Sequence, residues 1–338
     1  MHAKDYIGFS ILIGMVLVMP HLVGNDYYVG VLVFAAFNCL ACIGLCLLMG
    51  YAGQISLGHG AFIAIGAYAS GLLTTKMGWS PWTAMAAGAF LAMAIAFIVG
   101  IPTLRLKGHY LAMATLGFAS IVHIVAVAAV DLTGGPAGVL GIPRIGLFGF
   151  SLDSDIQYYY FAWTAVVIGL YLAFNIIDSR IGRGLRAIHG SEDAASAAGV
   201  NTSVYKIQVF ALSAVYASVS GSLYAYYVNY IDPGPFDVMH SILLVTMVAV
   251  GGLRHLWGAV IGALLLSLLP EMLSFAAAPL QAIGIEYKPD YDIIVYGTIL
   301  LLIMLFLPEG LFAGLAAGCK SAWNLFKKIL KGRPFVRE

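Results

Sequence analysis

Val29 to Met49 reads VGVLVFAAFNCLACIGLCLLM, a run that carries no charge. A helix of about 20 residues crosses the ~30 Å hydrocarbon layer of a bilayer, so this stretch reads as a membrane-spanning helix. Ile7 to Val23, Pro81 to Ile101, Tyr159 to Ile177 and Tyr291 to Phe312 are runs of the same kind. Across the 338 residues, 61% are hydrophobic and only 10% charged, a balance that leaves too little polar surface for a soluble domain. Ile7 to Val23 lacks a strongly basic leader and apolar runs recur down the chain, so the first run reads as a retained helix and not a cleaved signal. The fold class this predicts is an all-α integral membrane protein, a polytopic bundle of nine or ten transmembrane helices.

Helices are predicted at about 7–23, 29–49, 55–75, 81–101, 109–130, 159–177, 205–228 and 291–312. Lys and Arg concentrate in Arg180 to Lys206 and in Lys320 to Arg337, which the positive-inside rule assigns to the cytoplasm. Counting outward from those two places puts Arg105 and Lys107 inside, 131–157 outside, and both termini in the cytoplasm. The chain then divides into a transmembrane domain over 1–316, with a cytoplasmic loop at about 178–204, and a basic tail over 317–338. Between Phe236 and Phe275 an apolar stretch is broken at Gly251-Gly252-Leu253-Arg254-His255 and must start and finish on the outer side. Either two helices meet at a cytoplasmic Arg254, or a short first arm is re-entrant.

Cys39, Cys42 and Cys46 share one apolar helix with neither metal-ligand nor disulfide spacing, and read as small buried side chains. The chain has 39 glycines, most of which read as packing positions that let helix backbones approach in lipid, with Gly258 and Gly262 as one such pair. Gly50 to Gly60, GYAGQISLGHG, is different: four glycines with polar side chains among them make a poor continuous helix. Irregular backbone at membrane depth is tolerated where protein buries it or water lines it. Gln54, Ser56 and His59 therefore either line a solute path or form a polar turn at the cytoplasmic edge. Thr133 and Gly134 open the outer loop, as a plain turn or as an outer vestibule.

The stretch Arg180 to Gly199, RIGRGLRAIHGSEDAASAAG, has high helix propensity from Glu192 to Ala198, acids in its first turn and a glycine at its end. A short surface helix of this kind suits a groove on another protein. Asp193-Ala194-Ala195 followed by Gly199 resembles the Glu-Ala-Ala-x-x-x-Gly core of the loop by which importer permeases contact their ATPase. Here the first acid is Asp, with Glu192 beside it, and the downstream Ile-x-Leu-Pro part is absent, which argues against the sugar and peptide importer branches. Further stretches, Gly53 to His59, Pro102 to Gly108, Thr133 to Gly135, and Gly251 to Leu253 with Gly258, are similar in order and spacing to the M-type permeases of branched-chain amino acid importers of the ATP-binding-cassette class.

That resemblance implies a transport subunit of a bacterial inner membrane. Its implied partners are a homologous H-type permease, two cytoplasmic ATPases and an extracytoplasmic solute-binding protein, with lipid around the complex and no nucleic acid. Arg183, Arg186, Glu192, Asp193, Ala194, Ala195 and Gly199 would then form the ATPase-coupling loop. Members of the family carry branched-chain amino acids, urea, amides or aromatic acids, so the solute stays open. The sequence has no Gly-x-x-x-x-Gly-Lys-Ser/Thr phosphate loop, so no enzyme activity or cofactor is expected on this chain, and ATP would be used by the partner subunit. The alternative is an ion-coupled secondary transporter, for which His59, His109, His123 and Glu271 are the ionisable candidates.

Overall fold

The computed structural model describes residues 3–103, 106, 108–147 and 150–282, together with 297–298, 301–302, 305, 310–311 and 314. The helix predicted at 291–312 lies largely outside these residues, and Arg105, Lys107 and the tail at 317–338 lie wholly outside them.

Long helices dominate. Seven among the described residues are long and apolar enough to cross a membrane. They are α1 (Ala3–Val23), α2 (Asp26–Cys46, prolonged by a π-helical turn Leu47–Tyr51), α4 (Pro81–Thr103), α5 (His109–Ala128), α7 (Asp155–Asp178), α10 (Thr202–Val228) and α12 (Leu256–Ala282). The predicted nine or ten passes are not confirmed by these seven, which are counted among the described residues alone. α3 (His59–Met77) is 19 residues long, but its glycines, threonines and His59 dilute its hydropathy. It can be less apolar because it is buried against α10, α4 and α5 and not against lipid. α11 (Val238–Gly251) has 14 residues, about 21 Å of helix, too short to cross. It returns through Gly252–His255 into α12, so 236–275 is a hairpin with a short first arm.

Three short helices complete the set: α6 (Val130–Thr133), α8 (Arg180–Gly190) and α9 (Glu192–Ala197). Near the end of the molecule that carries Thr133, two-residue strands pair antiparallel, β1 (Val139–Leu140) with β4 (Tyr230–Ile231) and β2 (Gly146–Leu147) with β3 (Phe150–Ser151).

The core forms where α2, α3, α7, α10, α11 and α12 meet, and α2 is buried along most of its length. Helices in lipid gain little from hydrophobicity alone, so close approach and interhelical hydrogen bonds decide the packing. α3 and α10 meet through Gly66, Ser70, Ser218, Gly221 and Ser222: a Cβ at Gly221 would overlap the Ile63 carbonyl, and Ser70 bonds Ser222 at 2.6 Å. The predicted glycine pair recurs at the α11–α12 crossing, where a Cβ at Gly262 would lie 2.8 Å from the Gly251 Cα. Tyr216 donates to the Gly169 carbonyl at 2.7 Å and Trp163 to the Leu32 carbonyl at 3.2 Å, tying α10 to α7 and α7 to α2. The thiols of Cys39, Cys42 and Cys46 are buried and donate to the carbonyls of Val260, Leu244 and Leu253.

Candidate functional site

The glycine-rich stretch is irregular, as its composition predicts, and the helix expected from 55 starts at His59 instead. A Cβ at Gly50 would overlap the Leu253 carbonyl, so the π-turn rests on the α11–α12 turn at a distance only glycine allows. Gly53 then takes a left-handed conformation, φ +69°, and the chain runs non-helically through residues 53–58. Its amides find partners one by one: Gln54 N–H donates to the Leu48 carbonyl at 3.1 Å, Leu57 to the Thr115 hydroxyl at 2.9 Å and Gly60 to the Ser241 hydroxyl at 2.9 Å. Gln54, Ser56 and His59 are all buried. Ser56 accepts from Gly58 N–H, whereas both amide atoms of Gln54 and both ring nitrogens of His59 have no partner among the described residues.

The basic loop contains two helices, one more than its propensity suggested. Ser179 caps α8 by accepting from Ile181 N–H at 3.1 Å. α8 buries Gly182, Gly184, Leu185 and Ile188 and exposes Arg180, Arg183 and Arg186. Ser191 caps α9, accepting from Ala194 N–H at 3.2 Å. At its far end Val200 N–H donates to the Ala195 carbonyl and Gly199 N–H to the Ser196 carbonyl, the bond pair of a Schellman motif, with Gly199 at φ +84°. Asp193, Ala194, Ala198 and Gly199 are exposed, as a docking helix requires. Ala195 differs from its expected outward placement: it is 4% exposed, turned toward α8 and α10. Glu192 is also committed inward, pairing with the buried Lys206 ammonium at 2.5 Å.

The two stretches meet. A cavity of about 130 Å³ is bounded by Gly53 and Gln54 on one side and by His189, Glu192 and Lys206 on the other. A Cβ at Gly53 would lie 2.8 Å from His189 Nδ1, so that residue tolerates nothing larger without a shift. Burial, and then the nearby Arg254 charge, hold the His189 imidazole below its usual pKa. From this cavity the non-helical segment leads on until Gly60 reaches Ser241 at the start of α11. There a second cavity, of about 310 Å³, is lined by Asn38, Ile63, Ser220, Tyr224, Phe236 and His240. Ile63 is one helical turn beyond His59. Sequence reasoning missed Asn38, Ser220, Tyr224 and His240; Asn38, the lone amide in its run, was the available signal.

Thr133 and Gly134 do not join this assembly. They lie past the end of α5 opposite to Thr115, which touches the glycine-rich segment. Thr133 donates to the Ala126 and Ala129 carbonyls, and Gly134 ends α6 in a left-handed conformation, so the pair acts as a turn. Glu271 accepts from the Tyr27 hydroxyl at 2.7 Å. No group of three metal-ligating side chains occurs among the described residues.

A family described as the permease component of branched-chain amino acid transport systems matches residues 27–305. The high-affinity branched-chain amino acid transport system permease protein LivM of Escherichia coli (strain K12) is 30% identical over 292 residues, 80% of this chain and 66% of its own length. The chain thus spans just under two thirds of that relative. The ribose import permease protein RbsC of the same organism is 25% identical over 314 residues, 90% of this chain and 93% of its own. The high-affinity branched-chain amino acid transport system permease protein LivH of Salmonella typhimurium is 26% identical over 292 residues, 80% of this chain and 90% of its own. No solved structure matches.

Proposed function

The chain belongs to the family of branched-chain amino acid transport permease components, and from that premise we propose that it is the M-type transmembrane subunit of an ATP-driven importer of branched-chain amino acids or related small solutes. The observation that carries this reading is the continuity of the site: Glu192 of α9 lines the Gln54 cavity, the irregular segment leads from Gln54 to Gly60, and Gly60 bonds Ser241, the neighbour of His240 in the second cavity. In the proposed mechanism the exposed face of α9 (Asp193, Ala194, Ala198, Gly199), flanked by Arg183 and Arg186, seats in a groove of a cytoplasmic ATPase. Movement of α8 and α9 reaches Gln54 across the shared cavity, and the glycine-rich segment carries it to the level of His59. A cavity of about 310 Å³ with aromatic walls and a few polar groups has the size and character of a small-solute site. An H-type permease would complete the pore, consistent with similarity to both LivM and LivH, and two ATPases and a binding protein would complete the complex in a bacterial inner membrane, the termini and basic loop cytoplasmic. ATP is then consumed on the partner, not on this chain.

The test uses the full complex reconstituted in lipid. Ala198→Trp places a bulky group at the exposed residue that ends α9, away from the bundle. ATPase co-purification is expected to weaken on the order of tenfold or more, as for disrupted interface centres, with loss of solute-stimulated hydrolysis. Wild-type values of both would reject the ATP-coupled reading.

A further inference from the structure

A groove of about 650 Å³ runs along the flank of the bundle between α4, α7 and α10, lined by neither cavity's polar residues. Leu40, Gly169, Tyr216 and Leu223 are its buried lining residues, and the partly or fully exposed Ile168 and Val215 also line it. Along α7 it extends from Phe161 to Ser179, roughly 27 Å at 1.5 Å per residue, close to the thickness of a bilayer's hydrocarbon core. Trp82 stands at the Phe161 end and donates its indole N–H to the Gly146 carbonyl at 2.8 Å, a placement typical of the membrane interface. At the other end Ser179 and Ile181 line the groove where α8 turns away from α7.

That end is basic. Arg180 and Arg183 are both exposed there, beside the carboxylate of Asp178. Arg183 reaches back along the turn to donate to the Asp178 carbonyl at 3.3 Å, beside Ser179 in the groove wall. Arg180 makes no hydrogen bond or ion pair among the described residues. α8 packs Leu185 and Ile188 against the bundle and turns its arginines outward.

We propose that the groove is a binding site for an anionic phospholipid, one acyl chain lying over Gly169 and beside Ile168 and the phosphate held by Arg180 and Arg183. Charge complementarity selects this occupant over a partner helix: an apolar trough of membrane length ends at two cations at headgroup level. A guanidinium pairs bidentately with a phosphate of either lipid, but a phosphatidylcholine headgroup offsets its phosphate with its own cation, so two basic groups give a preference for a net anionic headgroup on the order of tenfold. The lipid would moor α8, and with it α9, at a fixed height against the membrane. The inference shares Arg183 with the transport reading but is tested separately, because lipid retention is read on this chain alone and does not depend on ATPase coupling.

The full chain is incorporated in nanodiscs of equal phosphatidylglycerol and phosphatidylcholine, taken back into mild detergent, and examined by native mass spectrometry for retained lipid. Wild type is expected to keep phosphatidylglycerol over phosphatidylcholine by about tenfold. Arg180→Gln with Arg183→Gln, both at exposed positions, should erase the preference while some lipid stays bound. Ile168→Trp, which fills the groove from its wall, should release both lipids; should that variant fold poorly, the arginine pair decides alone. Equal retention of the two lipids by wild type, or an unchanged preference in the arginine variant, overturns the proposal. So does cross-linking of Ile168→Cys to a second permease subunit in membranes, which would make the groove a protein interface.

Discussion

Gly199 shows how much a single position settles. At φ +84° an L side chain crowds the following carbonyl, at a cost of about 1–2 kcal/mol, yet no atom lies within 4 Å of where its Cβ would be. The requirement is thus purely one of backbone. Gly199→Val should destabilise the end of α9 by about that amount, whereas Gly199→Asn, which tolerates the left-handed region, should stay near wild type. Hydrogen exchange over residues 192–199 reads the difference, and equal protection in both variants would mean that the left-handed end is not what stops the helix. The Asp-Ala-Ala-x-x-x-Gly spacing made this helix readable in the sequence. The inward turn of Ala195 and the Glu192–Lys206 pair were not, because both depend on where the first turn of α10 lies.

At the scale of elements, the α3–α10 pair is the clearest case of packing set by small residues. The Ile63 carbonyl occupies the space a Cβ would need at Gly221, and the Ser218 backbone does the same at Gly66. Gly221→Ala must therefore push two helices apart, costing about 1–3 kcal/mol. Gly117→Ala, in a helix with nothing within 4 Å of the new methyl, should be neutral or slightly stabilising through helix propensity. Thermal unfolding in detergent compares them, and equal midpoints would remove close approach as the reason for glycine at 221. Elements were unevenly readable for related reasons. α8 was missed because Gly182, Gly184 and Gly190 lower its propensity, although Leu185 and Ile188 against Arg183 and Arg186 already repeat with helical period. α3 was recognised but begun four residues early, since apolar residues at 55 and 57 continue its pattern through backbone that is irregular from Gly53 to Gly58.

For the molecule as a whole, a single sequence gives spans more readily than neighbours. A helix in lipid is apolar on every side, so no polar stripe marks its inner face; the meeting of Gly50 with Leu253, or of Gln54 with Glu192, could not be read beforehand. Charge does carry global information. Arg180, Arg183, Arg186, Lys206 and Arg254 gather at the end where α7 finishes, α10 begins and α11 turns into α12. The opposite end holds Lys76 and Arg144 together with Asp131, Asp153, Asp155 and Asp232. Basic loops are retained in the cytoplasm while acidic residues weigh little, so the first end should face inward. Ala187→Cys and Leu140→Cys are exposed at the two ends, and Cys39, Cys42 and Cys46 are buried, so a membrane-impermeant thiol reagent can be read against Cys319→Ser as background. In intact cells Leu140→Cys should label and Ala187→Cys should label only after permeabilisation. The reverse pattern would invert the molecule, put α9 out of reach of any cytoplasmic ATPase, and remove the coupling role proposed for it.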